Sequence, residues 1–123
     1  MGTSETFKSN LLTIEVEESD GAINIRWVGK SADRTPGVFI NPILNDALVK
    51  SSAGNKEITM NFQDLEFMNS SSIAPIVKIL DRAKRGNNRV SILYRKSLSW
   101  QELSFSALVV FQTKDDRIQI KGL

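Results

Sequence analysis

The sequence predicts a single α/β domain, residues 1–123, built on a mixed β-sheet with helices packed on it. Three observations carry this expectation. The chain opens with two period-two runs rich in β-branched residues, LLTIEVE over Leu11–Glu17 and AINIRWV over Ala22–Val28, separated by Asp20-Gly21; this is the pattern of a hairpin. Short apolar strands then alternate with segments of 3.6-residue periodicity, which implies crossover connections. Finally, 123 residues at 41% apolar and 24% charged suit one ordinary globular core.

The elements follow in order. Residues 1–10, MGTSETFKSN, are expected to be a flexible N-terminus. Gly29–Gly37, GKSADRTPG, is polar and carries Pro36 and Gly37, so it reads as a loop. In VFINPILNDALVKSSAGN, Asn41 is expected to cap a helix with Pro42 at its first position, where a missing N–H costs nothing. Ile43, Leu44, Ala47 and Leu48 then share a face, and Gly54-Asn55 ends the helix. Glu57–Phe62, EITMNF, reads as a short buried strand.

A second helix carries the stripe Ile73, Ile76, Val77, Ile79, Leu80 and Ala83, opposite Lys78, Asp81, Arg82, Lys84 and Arg85, and stops at Gly86-Asn87-Asn88. Arg89–Arg95 is the next strand. Leu98–Phe111 has helical spacing at Trp100, Leu103, Ala107, Leu108 and Phe111, and Arg117–Ile120 is a short last strand. The expected order is β-β-α-β-α-β-α-β. Trp27 and Trp100 fit core packing.

Composition excludes several chemistries. With no cysteine and no histidine, disulfides, thiolate metal sites, cysteine nucleophiles and histidine bases are ruled out. No cofactor or metal is expected. No run of 18 apolar residues occurs, so neither a signal peptide nor a membrane span is expected, and the default compartment is the cytoplasm. Residues 1–76 carry six basic and ten acidic side chains, a balance of −4, whereas residues 77–123 carry ten and four, a balance of +6. Most of the excess lies in Lys78, Arg82, Lys84, Arg85, Arg89, Arg95 and Lys96. That distribution reads as a solvated helix face or a patch for an acidic partner or anionic surface, and with no interleaved aromatic residue apart from Tyr94 it only weakly suggests nucleic acid.

The junction EFMNSSSIAPI, Glu66–Ile76, raises the functional question. Proline is harmless only in the first helical turn, so Pro75 places the cap at Ser71 or Ser72. Asn69 and Ser70 are then left in the strand-to-helix loop, beside the partial positive end of the helix, where a phosphate would find free N–H donors. On the residues alone, simple capping and an anion-related role both stay open. Asp64 and Glu66 read as loop charges near the strand end. No lysine follows a serine by three residues here and there is no nucleophile elbow, so catalysis is not expected.

The stretch EITMNFQDLEFMNSSSIAPIVKILDRAKRGNNRVSILYR resembles the central segment of the STAS domain family, the sulfate-transporter and anti-sigma-factor-antagonist domains. There a strand leads through an aspartate-serine-serine/threonine-glycine motif into a helix. This chain has Asn69 in place of the aspartate and Ser72 in place of the glycine. The resemblance, over residues 57–111, implies a STAS-like mixed sheet of four or five strands with helices mainly on one face. It implies a serine at the helix start that a partner kinase phosphorylates, by position Ser70 with Ser71 second. Phe67, Met68, Asn69 and Ser72 would form the surrounding binding surface. The implied partner is a serine kinase acting as anti-sigma factor, in bacterial signal transduction and transcription regulation. The alternative is a non-phosphorylated adaptor, or a sensor holding an anion, a lipid or another subunit in a signalling or transport complex. A homodimer is left open.

Overall fold

The computed structural model describes residues 2–123. Its elements are β1 (Thr3–Ser9), β2 (Leu12–Ser19), β3 (Ala22–Ser31), α1 (Gly37–Gly54), β4 (Glu57–Met68), a 3-10 turn at Ser70–Ser72, α2 (Ile73–Arg85), β5 (Val90–Tyr94), α3 (Ser99–Ser106), a second 3-10 turn at Ala107–Phe111, and β6 (Ile118–Gly122). One six-stranded sheet runs in the order β1-β2-β3-β4-β5-β6. The first two pairings are antiparallel and the last three parallel.

Because the strand order advances in one direction, crossovers of the usual right hand put every helix on the same face. Burial follows that geometry. On β3, Ile23, Ile25 and Trp27 are buried while Asn24 and Arg26 between them are exposed. The packed face joins β-strand residues such as Ile14, Ile58, Phe62 and Ile92 to Ile40 and Leu44 of α1, Ile76 and Leu80 of α2, and Phe105 of α3. Trp27 packs on Phe62 with ring centroids 4.8 Å apart, and Phe62 on Phe105 at 4.6 Å. The other face is polar: Arg26 bridges Glu15 at 3.1 Å and Asp64 at 2.7 Å, and Asp64 also meets Arg95 at 3.6 Å.

Several sequence expectations are corrected. The sheet has six strands, not four or five, because Thr3–Ser9 forms β1 rather than a flexible terminus; Met1 lies outside the described residues. The turn at Asn10 and Leu11 returns β1 onto β2 in unbroken register. Helix α1 begins at Gly37 instead of at Pro42, which sits inside it. The extra turn forms because Ile40 N–H reaches Pro36 O at 2.9 Å and the Ile40 side chain is fully buried. The carbonyl that Pro42 leaves without a helical donor belongs to Val38, an exposed residue that water reaches.

Strand β4 runs six residues past Phe62, its register with β3 shifting twice. The buried side chain of Gln101 supplies what that distortion leaves unpaired. Its amide donates to Phe62 O at 2.6 Å and Leu65 O at 3.0 Å, and its carbonyl accepts from Arg95 N at 2.7 Å. The third helical segment is α only to Ser106, and Leu103 faces solvent while Phe105 is buried. Trp100 is half-buried against the core. Among the described residues no helix is long and apolar enough to cross a membrane.

Candidate functional site

The serines lie where the carboxyl ends of β3 and β4 meet the start of α2. Parallel pairing carries Lys30 opposite Phe67 and Ser31 opposite Met68. Beyond Met68 the chain turns through Asn69, whose extended backbone (φ −76°, ψ 166°) precedes the 3-10 turn Ser70–Ser72. Asn69 caps this turn with its side chain. Its Oδ1 accepts from Ser72 N at 3.0 Å and from Ser72 Oγ at 2.6 Å, while its Nδ2 donates to Asp33 O at 2.8 Å. Its own N–H donates to Ser31 O at 2.9 Å. Ser72 holds the N-cap position of α2, within the expected Ser71–Ser72, but its side chain makes no capping bond; the capping bond comes from Asn69, because asparagine is as good a cap as serine and its longer side chain also reaches the Asp33 loop.

The three hydroxyls are not equivalent. Ser72 is 0% exposed, and its Oγ lies 2.6 Å from Ser31 Oγ and 3.3 Å from Ser31 O. Because it also donates to Asn69, it accepts the Ser31 hydroxyl proton, and both buried serines are satisfied. Ser70 and Ser71 are exposed. Neither side chain makes a hydrogen bond among those of the described residues.

An apolar margin borders the turn. Phe67 is 47% exposed and Met68 half-buried, so Phe67 is a surface residue rather than part of the core. Leu11, 66% exposed, stands on the same end, because Leu11 O accepts from Lys30 N at 3.0 Å and Lys30 pairs with Phe67. Gly29 permits this approach: its φ is +94°, and a Cβ there would lie 2.1 Å from Leu11 O.

Asp33 anchors the other side, its carboxylate accepting from Asn10 Nδ2 at 2.6 Å. Asp64 is drawn instead into the ion pairs of the open face, and Glu66 is exposed. Among the described residues no cluster of three or more acidic side chains could hold a metal.

No family model matches the chain, and no curated protein matches it in sequence. Solved structures do. SiaC of Pseudomonas aeruginosa superimposes over 98% of this chain and 99% of its own, with a TM-score of 0.64 at 15% identity. The anti-sigma factor antagonist SpoIIAA, in its unphosphorylated form, matches 65% of this chain and 71% of its own, with a TM-score of 0.52 at 20% identity. An uncharacterised DUF3478-family protein of Shewanella loihica, described as having a SpoIIAA-like fold, matches 95% of this chain and 90% of its own, with a TM-score of 0.55 at 22% identity. This chain has the SpoIIAA-like fold.

Within the SpoIIAA-like fold the strand-to-helix junction is where the sequence reading put Ser70, Ser71 and Ser72, and all three lie in one turn with Asn69. Sequence reasoning missed Ser31, Asp33 and Leu11. Ser31 was hidden in a polar loop segment, and only the parallel pairing of β3 with β4 brings it to Ser72.

Proposed function

We propose that this chain is a protein-binding module of the anti-sigma-factor-antagonist type, switched by phosphorylation of Ser70, with Ser71 as the second acceptor. The observation that carries this reading is the division of labour in the turn. Asn69 caps, Ser72 is buried in a closed hydrogen-bond set, and the two hydroxyls that remain are exposed and unengaged. A partner serine kinase in the cytoplasm would transfer the γ-phosphoryl of its nucleotide to Ser70 Oγ: the Oγ–P bond forms as the bond from that phosphorus to the β,γ-bridging oxygen breaks, the nucleoside diphosphate leaves, and the hydroxyl proton passes to a base of the kinase. The chain itself acts as ligand and substrate, not as an enzyme.

A phosphate adds about −1.5 to −2 charges at pH 7, and at a helix start it meets N–H groups and a favourable dipole, so the domain keeps its fold. The effect falls on the partner. A partner that covers the turn, seated on Phe67, Met68 and Leu11, would have to bury a dianion where a hydroxyl had been, at a cost on the order of several kcal/mol. The complex then separates.

Intact-mass measurement and phosphosite mapping of the protein from its native cell test this, beside a Ser70→Ala variant. One added phosphate on Ser70, absent from the variant, is the expected result. A protein unmodified under every growth and stress condition removes the switch and leaves a non-phosphorylated adaptor or ligand sensor on the same fold.

A further inference from the structure

The two outer edges of the sheet differ. At β6 the chain closes its own edge: Ile118 N donates to Thr113 Oγ1 at 3.1 Å, Ile120 N to Gln112 Oε1 at 3.0 Å, and Thr113 N to Ile118 O at 3.3 Å. At β1 nothing equivalent exists among the described residues. Thr3–Ser9 pairs with β2 on one side, without a bulge, and carries no proline. Its other side is an open row of backbone donors and acceptors.

We propose that β1 pairs antiparallel with β1 of a second copy of this chain, about a two-fold axis through Thr6. This surface is separate from the serine turn and does not depend on the switch. In this register Thr6 faces its own counterpart, Ser4 faces Lys8 of the second copy, and Glu5 faces Phe7 of the second copy. The charges select it. Neither Lys8 nor Glu17 belongs to an ion pair among the described residues. Glu17 lies directly across from Ser4 on β2, so Lys8 of the second copy reaches over the short serine to an unpaired carboxylate. Strands about 4.8 Å apart place those two side chains within joint reach, and the symmetry makes the contact twice.

Other registers are poorer. An axis through Glu5 sets two carboxylates face to face, and one through Phe7 sends Lys8 toward Glu15, which Arg26 already holds at 3.1 Å. On the helix side, Phe7 of the two copies become diagonal neighbours. Phe7 there lines a groove of about 430 Å³ with Val38, Phe39 and Pro42, and the two grooves join across the axis.

Because the chain has no cysteine, a single introduced thiol reports its own symmetry mate. Directly opposed residues in an antiparallel pair have Cα atoms about 4.5–5.5 Å apart, within disulfide range. Under mild oxidation the Thr6→Cys variant is expected to cross-link to a dimer. The Ser4→Cys variant is not, since its two thiols would sit about 13 Å apart along the strands. In sedimentation equilibrium of the full chain, Lys8→Glu is expected to weaken the dimer about tenfold, and the double swap Lys8→Glu with Glu17→Lys to restore it. A chain that stays monomeric at every concentration overturns the proposal and leaves the edge for a strand of some other protein. Cross-linking of Ser4→Cys as readily as Thr6→Cys, or a dimer indifferent to Lys8→Glu, overturns it as well.

Discussion

Replacing Ser70, Ser71 and Ser72 one at a time by alanine should separate three residues that the sequence presents as equals. Ser72 Oγ donates to Asn69 Oδ1 at 2.6 Å and accepts from Ser31 Oγ at 2.6 Å, in a place with no exposure. Ser72→Ala therefore removes a net hydrogen bond worth about 1 kcal/mol and strands the buried Ser31 hydroxyl at a further cost of about 1–3 kcal/mol, for a total of about 2–4 kcal/mol. With a urea slope of roughly 1.5 kcal/mol per molar, that moves the unfolding midpoint down by about 1.3–2.7 M. Fully buried Trp27 provides the fluorescence signal. Ser70→Ala and Ser71→Ala remove exposed hydroxyls and should stay within about 0.5 kcal/mol of the parent. Adding Ser31→Ala to Ser72→Ala removes the stranded donor, so the double variant should recover about 1–2 kcal/mol of the sum expected from the singles. If Ser72→Ala proves as mild as Ser70→Ala, the division between a structural and two free serines is wrong.

Gly29→Ala should cost about 3 kcal/mol or more in the same assay, because it combines a positive φ with a Cβ 2.1 Å from Leu11 O; a loss under about 1 kcal/mol would mean the hairpin end is freer than described. Gln101→Leu keeps the volume but leaves Phe62 O, Leu65 O and Arg95 N without their partner, and should cost about 2–4 kcal/mol by urea titration. Glu18 is held below the ordinary carboxylate range chiefly by its hydrogen bond from Lys56, and Asp115 by that of Thr113. Groups of this kind stabilise the fold above their unfolded pKa and cease to as pH falls through the folded value. Stability should hold at neutral pH and drop below the ordinary carboxylate range, and Glu18→Gln should flatten that acid limb; an unchanged slope would remove Glu18 from the account.

Much of this was legible because it rests on local rules. The β2–β3 hairpin, the stripe of α2 and its stop at Gly86 follow from period and turn chemistry, and they stand in the structure. So does Pro75 in the first turn of α2. What failed depends on neighbours. TSETFKS has almost nothing to bury, so its pattern gives no sign of a strand, and only pairing with β2 makes it one. The rule that puts Pro42 at a helix start is overridden by tertiary burial of Ile40. The capping bond of Asn69 is not legible in sequence because its side chain is held by Asp33, a contact between residues 36 apart. The strand-to-helix junction was legible in EFMNSSSIAPI, while the hydrogen bonding of its serines was not, since the Ser31 that meets Ser72 comes from β3.

The closure of β6 by Gln112 and Thr113 has a consequence for behaviour in a crowded solution. Fibre growth by strand addition requires every unit to offer two reactive flanks, one to receive and one to extend. This domain offers one. In polymer terms it is monofunctional, so whichever strand settles on β1, the sheet ends there and the chain reaction toward aggregate has no second step. Deleting the side chains that guard β6, as in Gln112→Ala with Thr113→Ala, would convert a terminator into a monomer capable of propagation.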